Sequence, residues 1–99
     1  MYIARRFEWD EAKSESNKTK HNIDFETAEL IFDDPFCISF VERVDEGEER
    51  WHAIGMIEDI LVIVAVHTYR VEGTDEVIRI ISSRRATSHE RKLYVEADR

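Results

Sequence analysis

The cations of this sequence concentrate in one stretch. Arg79, Arg84, Arg85, Arg91 and Lys92 fall within "IRIISSRRATSHERKLY" (78–94), where Glu90 is the single carboxylate. Residues 1–77 carry 8 basic and 19 acidic side chains, a balance of −11; residues 78–94 balance to +4 and the last five to −1, giving the net −8 of the chain. Positive charge gathered against such a background suits an anionic group. Arginine meets phosphate through two parallel hydrogen bonds. Arg84 and Arg85 also stand just before Thr87-Ser88-His89-Glu90, which fits a capping box and so places a helix start there. The dipole and unpaired N–H groups of a helix start favour an anion. The competing reading is structural: the two arginines pair with carboxylates, and Thr87 and Glu90 only cap the helix.

A second set could move protons. His67, in "VHTYR", ends an apolar strand where the sheet meets solvent, and an imidazole there can serve as general acid or base near pH 7. It can equally be a structural residue. Lys20 and His21 end a polar helix, where the dipole favours cations whatever their function. His21, His52, His67 and His89 show no zinc spacing, and one cysteine cannot build a structural metal site. The pattern therefore implies neither metal nor cofactor, and it contains no Gly-rich phosphate loop and no nucleophile elbow.

The elements that position these residues follow from periodicity. "IARRFEW" reads as a short strand. Asp10 caps a helix over "EAKSESNKTKH", which has one apolar residue, Ala12, and sets Lys13, Asn17 and Lys20 on one face. Asp24 caps a second helix within "NIDFETAELIFDD", with Phe25, Ala28, Leu30, Ile31 and Phe32 as its apolar stripe, ended by Pro35. From residue 36 the period becomes two. "FCISFVER", "RWHAIGMI", "ILVIVAVHTYR" and "VIRIISSRR" read as strands joined by turns at 44–49, 58–59 and 71–76. The third of these is apolar on both faces, as a central strand would be. "ATSHERKLYVEA" closes the chain as a helix. The expected fold is a single α+β domain spanning 1–99, of order β-α-α-β-β-β-β-α. It consists of an antiparallel sheet of four to five strands with two N-terminal helices and one C-terminal helix packed on one side, leaving the other face as a shallow groove. Regular alternation in 78–85 places Arg79 and Arg85 on one face and Arg84 on the other; a bulge at "SSRR" would break that parity.

Composition bounds the rest. Ninety-nine residues with 42% hydrophobic and 36% charged content support one core. The longest apolar run, 60–66, is too short to span a bilayer, and the N-terminus lacks a signal-peptide stretch. Single Cys37 fits a reducing cytoplasm. The pI near 4.9 argues against generic attraction to nucleic acid, so any such role must come from a local patch.

The blocks "FEWDEAKSESNKTKHNIDFETAELIFDD", "GEERWHAIGMI", "LVIVAVHTYR" and "IRIISSRRATSHERKLY" together resemble, in order and spacing, the BrnT family of bacterial type II toxins, over roughly residues 7–94. The resemblance implies a RelE-like fold and a ribonuclease that arrests growth. It implies a BrnA-type antitoxin partner, assembly as a dimer of heterodimers, and contact with operator DNA through the antitoxin. It also implies metal-independent cleavage by attack of the RNA's own 2′-hydroxyl, with Arg79, Arg84 and His67 as catalytic residues and Lys20 and His21 binding substrate; Arg85 is a further catalytic candidate because strand parity sets it on the face of Arg79. Ribonuclease toxins are commonly basic whereas this chain is acidic. That contrast leaves a second reading open, a weak or inactive toxin acting with its antitoxin as co-repressor, and it suggests that a basic partner meets the acidic stretch "VERVDEGEER".

Overall fold

The structure, a computed structural model, describes residues 4–97. Its elements are β1 (Ala4–Glu8), α1 (Glu11–His21), α2 (Phe25–Glu29) continuing into a 3₁₀ turn (Leu30–Asp33), β2 (Ile38–Asp45), β3 (Glu48–Ile57), β4 (Leu61–Glu72), β5 (Asp75–Arg85) and α3 (Ser88–Glu96). The expected order holds; Ile3, the first residue of the expected opening strand, lies outside the described residues.

The five strands lie in the order β1-β5-β4-β3-β2, so the apolar β4 is central. β2 to β5 form the antiparallel meander, and β1 joins β5 in parallel, making the sheet mixed. The hairpin turns use left-handed residues where the sequence allows them: Glu46 and Gly47 (φ 50° and 80°), Glu58 and Asp59 (φ 54° and 58°), and Gly73 (φ 61°).

Helices cover both faces, not one. On the first face, α2 and the 3₁₀ turn bury Ala28 and Ile31 against Ala53, Ile57, Ile63 and Ala65, while Phe25 packs on Ile78 and Ile80. On the second face, α3 lays Tyr94 over Ile54, Val62 and Val64. Residues 53 and 54, like 64 and 65, alternate across the pleat, which is why one strand feeds both cores. Full burial of a side chain such as Phe25 or Ile31 stabilises by about 1.5–3 kcal/mol. The 3₁₀ turn presses close on β3 because Gly55 has no side chain: a Cβ there would stand 2.7 Å from that of Ile31.

α1 attaches differently. Its buried residues are Ser14 and Asn17, both polar. Ser14 Oγ accepts the backbone N–H of Phe25 at 2.9 Å, tying α1 to the start of α2. Asn17 Nδ2 donates to the carbonyls of Ile23 (2.7 Å) and Ser83 (2.9 Å) and lies 2.8 Å from Ser83 Oγ, while its Oδ1 accepts the Ser83 N–H at 3.2 Å. The polar helix is thus a docked element, held to β5 by hydrogen bonds.

The break in β5 parity is real and lies earlier than "SSRR". His67 pairs with Ile80 and Val66 with Ser82, so Ile81 is an extra residue without a cross-strand partner. Ile78, Ile80, Ser83 and Arg85 consequently face the α1/α2 side, and Arg79, Ser82 and Arg84 the α3 side. Arg79 therefore shares its face with Arg84, contrary to the regular alternation.

Candidate functional site

The end of α1 and the end of β5 together wall a cleft of about 470 Å³ lined by Thr19, Lys20, His21, Asn22, Arg84 and Arg85. A smaller depression of about 210 Å³ continues it toward Lys13, Ser16 and Ser82, sharing Lys20 and His21. Local sequence explains the geometry. α1 stops at Asn22, whose left-handed backbone (φ 59°) lets its N–H return to the Lys18 carbonyl at 2.8 Å. β5 stops at Arg85, and Ala86 turns the chain into the Thr87 capping box.

The two arginines are held differently. Arg84 grips Glu90 with both guanidinium ends, Nη1–Oε1 at 2.7 Å and Nη2–Oε2 at 2.9 Å. Glu90 Oε1 also accepts the Thr87 N–H at 2.9 Å, and Thr87 Oγ1 accepts the Glu90 N–H at 3.1 Å, so one carboxylate serves both the helix cap and the arginine. The Arg84 hydrogen bond is the main reason that the Glu90 carboxyl is lowered to about 2. The structural reading of Thr87 and Glu90 is therefore correct, and Glu90 has the added task of fixing Arg84. Among the described residues, Arg85 has no hydrogen-bond or ion-pair partner for its guanidinium.

That contrast extends over the molecule. Arg5, Arg6, Lys18, Arg43, Arg50, Arg70, Arg79 and Arg84 each have a carboxylate within 4.0 Å. The described lysines and arginines without one are Lys13, Lys20, Arg85, Arg91 and Lys92, and three of these five line the cleft and its extension. Arg91 instead braces the turn, donating to the Ala86 carbonyl and to Ser88 Oγ, each at 3.1 Å.

The structure thus brings together Lys20, His21, Arg84 and Arg85. It places the other two candidates elsewhere. Arg79 pairs opposite Thr68, four residues along β4 from the partner of Arg84, roughly 13 Å at ~3.3 Å per residue. Its Nη1 lies 3.5 Å from Glu8 Oε1, a carboxylate it shares with Arg70 at 2.9 Å. His67 is only 3% exposed, with Trp51 stacked on it at 6.3 Å and Phe32 edge-on at 5.2 Å. Burial lowers it to about 4, so at pH 7 it is a neutral ring in an aromatic cluster. Among the described residues no three His, Cys, Asp or Glu side chains gather in a metal-binding arrangement, and no helix is long and apolar enough to cross a membrane.

Two contributors went unrecognised in the sequence. Asn17 was placed on the Lys13–Lys20 face but not as the anchor of that face, and Ser83, its partner, had no role. The available signal was the lack of apolar residues in α1: a helix with one alanine must dock through polar atoms or not at all.

No curated protein sequence matches the chain. The fold matches the crystal structure of the Brucella abortus ribonuclease toxin, BrnT, at a TM-score of 0.62 and 25% identity, covering 87% of this chain and 100% of that one. The family model described as "Ribonuclease toxin, BrnT, of type II toxin-antitoxin system" matches residues 9–90, a span that runs from the first helix cap through Glu90 and encloses the whole cationic cleft. With the expected fold and the expected blocks in register, the chain belongs to the BrnT family of ribonuclease toxins of type II toxin–antitoxin systems.

Proposed function

We propose that this chain cuts RNA at a phosphate held in the cleft between α1 and the end of β5, using the RNA's own 2′-hydroxyl as nucleophile and no metal ion. The observation that carries the proposal is the gathering of Lys13, Lys20 and Arg85, all without carboxylate partners among the described residues, beside His21 in a chain of net charge −8. Cations left uncompensated in an acidic protein have a use for an anion. The 2′-oxygen forms a bond to phosphorus, the bond from phosphorus to the 5′-oxygen breaks, and the products are a 2′,3′-cyclic phosphate and a 5′-hydroxyl. Arg85 and Lys20 lie against the phosphate oxygens as charge builds on them. Arg84, pinned by Glu90, adds a fixed guanidinium at the cleft wall. One proton leaves the 2′-hydroxyl and one reaches the leaving oxygen. His21 serves these transfers better than the buried His67, and Arg79 extends the contact with RNA along the opposite face.

The partner is a BrnA-type antitoxin, in a dimer of heterodimers that reaches operator DNA through the antitoxin, and the site of action is the cytoplasm. The chain's acidity and the neutralisation of Arg84 by Glu90 favour the second reading, a weak enzyme retained as co-repressor. Incubating the purified chain with total RNA in EDTA separates the two. Cleavage that persists in EDTA, yields cyclic-phosphate ends and drops about 10²–10³-fold in Arg85→Ala supports the enzyme. Cleavage lost only in EDTA refutes the metal-free mechanism, and intact RNA from folded protein supports the co-repressor.

A further inference from the structure

A second cleft, of about 500 Å³, lies between the 3₁₀ turn, the β3–β4 turn and the end of α3. Its apolar surface comes from Leu30, Phe36, Met56 and Val95, and three of these are strongly exposed: Leu30 at 47%, Phe36 at 48% and Val95 at 67%. Its rim is formed by Asp33, Glu58 and Asp59, with no cation among the lining residues. Asp34, also at this cleft, is occupied internally, accepting from the Phe36 and Met56 N–H groups at 2.9 Å each and from the Tyr94 hydroxyl.

The rim acids differ from the other acidic stretch of the chain. In the β2–β3 hairpin, Glu42, Asp45 and Glu48 each have a cation within 4.0 Å, whereas Glu46 and Glu49 have none among the described residues. Among the described residues no cation pairs with Asp33, Glu58 or Asp59. Their field is felt nearby: Glu29 is raised first by burial and then by repulsion from Asp33 and Glu26. An apolar cleft with uncompensated negative charge around it repels RNA. It also repels a second copy of a chain whose net charge is −8. What it complements is a protein segment carrying apolar side chains flanked by Lys or Arg.

We infer that the cleft bounded by Leu30, Phe36 and Val95 and rimmed by Asp33, Glu58 and Asp59 is the docking surface for a basic, amphipathic segment of the antitoxin. The inference rests on the toxin–antitoxin reading of the family. It moves the partner's contact from the hairpin acids, three of which the chain already pairs with cations, to a rim whose three acids pair with none among the described residues.

The test uses the intact chain and the product of its adjoining open reading frame, with affinity measured by calorimetry at two salt concentrations. Val95→Asp is expected to weaken binding at least about tenfold. The triple neutralisation Asp33→Asn, Glu58→Asn, Asp59→Asn is expected to weaken it comparably and to flatten its salt dependence. Asn tolerates the left-handed backbone at 58 and 59, and unchanged thermal unfolding and RNA cleavage confirm that the variants are intact. Val71→Asp, on the uncovered part of the sheet, should bind as the native chain does. Native-like binding by both cleft variants overturns the inference, as does loss of binding in Val71→Asp alone. So does a dimer of the isolated chain that Val95→Asp dissociates, which would make the cleft a self-association surface. Should the native chain form no complex, the inference falls together with the partner reading, while the ribonuclease reading stands or falls on its own assay.

Discussion

Asn17 and Ser83 lie 66 residues apart in sequence and meet through three hydrogen bonds of 2.8–3.2 Å. Through them the helix bearing Lys20 and His21 is fixed against the strand that ends in Arg84 and Arg85. The cleft exists because this contact sets the distance between its two walls.

Asn17→Leu should therefore damage both stability and site. It leaves the Ile23 carbonyl and the Ser83 groups unpaired in a buried setting, a loss of about 2–4 kcal/mol for several unsatisfied polar groups. Chemical unfolding measures the stability, and hydrogen exchange should show α1 opening ahead of the sheet. RNA cleavage should fall even at temperatures where the remainder stays folded. Retained protection in α1 would mean that Ser14 alone suffices.

Glu90→Gln tests the shared carboxylate. The neutral amide can still meet Thr87 but loses the ion pair to Arg84, costing about 1–2 kcal/mol at neutral pH. Because the native carboxyl is held down at about 2, from an ordinary 4.5, its contribution is complete above 4.5 and disappears as pH falls toward 2. The variant should lose stability at pH 7 yet show a flatter decline across that acid range in urea melts.

His67 produces an acid dependence at higher pH. Its folded value of about 4 lies below the ordinary 6.5, so the folded state resists protonation. Stability should fall as pH drops from 6.5 toward 4 and stop responding to this group below that, by about 3 kcal/mol in all. His67→Phe, which preserves the aromatic contacts with Trp51 and Phe32, should flatten this interval while leaving the Glu90 interval intact. An unchanged slope would place the titration elsewhere.

Gly55→Ala should destabilise the protein through the 3₁₀ turn while leaving the cationic cleft intact. The added methyl would sit 2.7 Å from Ile31 Cβ and 3.1 Å from the Ile31 carbonyl oxygen, so the 3₁₀ turn must shift. A loss of about 1–3 kcal/mol is expected from thermal melts, with the remaining RNA cleavage per folded molecule unchanged.

Much of the architecture was legible because it is written locally. Asp10, Asp24 and Thr87 cap their helices as their spacing indicates, and Gly47 and Gly73 mark two turns whose φ values need them. The central place of β4 followed from its apolar residues on both faces. What escaped depends on pairing at long range. β1 carries nothing that distinguishes parallel from antiparallel addition, and its register with Asp75–Arg79 is set by a crossover through α1 and α2. α3 was expected on the same side as the other helices, yet it packs Tyr94, its buried residue, with Ile54, Val62 and Val64 on the second face. In the site, the paired arginines were visible but the difference between them was not. Whether Arg84 or Arg85 reaches Glu90 depends on the face each occupies, and no glycine marks the extra residue that decides it.

That extra residue, Ile81, sets the faces of the residues after it by its place in the count, not by any pairing of its own. In an unbroken ladder of the same length, Ser83 would face away from Asn17, and Arg84 and Arg85 would exchange faces. Exchanging Ile81 for another apolar residue leaves every downstream position facing as before. So does deleting it, because Ile80 opposite His67 and Ser82 opposite Val66 then follow one another in a regular ladder. A toxin gene with a three-base deletion at this codon should therefore keep its reading frame and its site together.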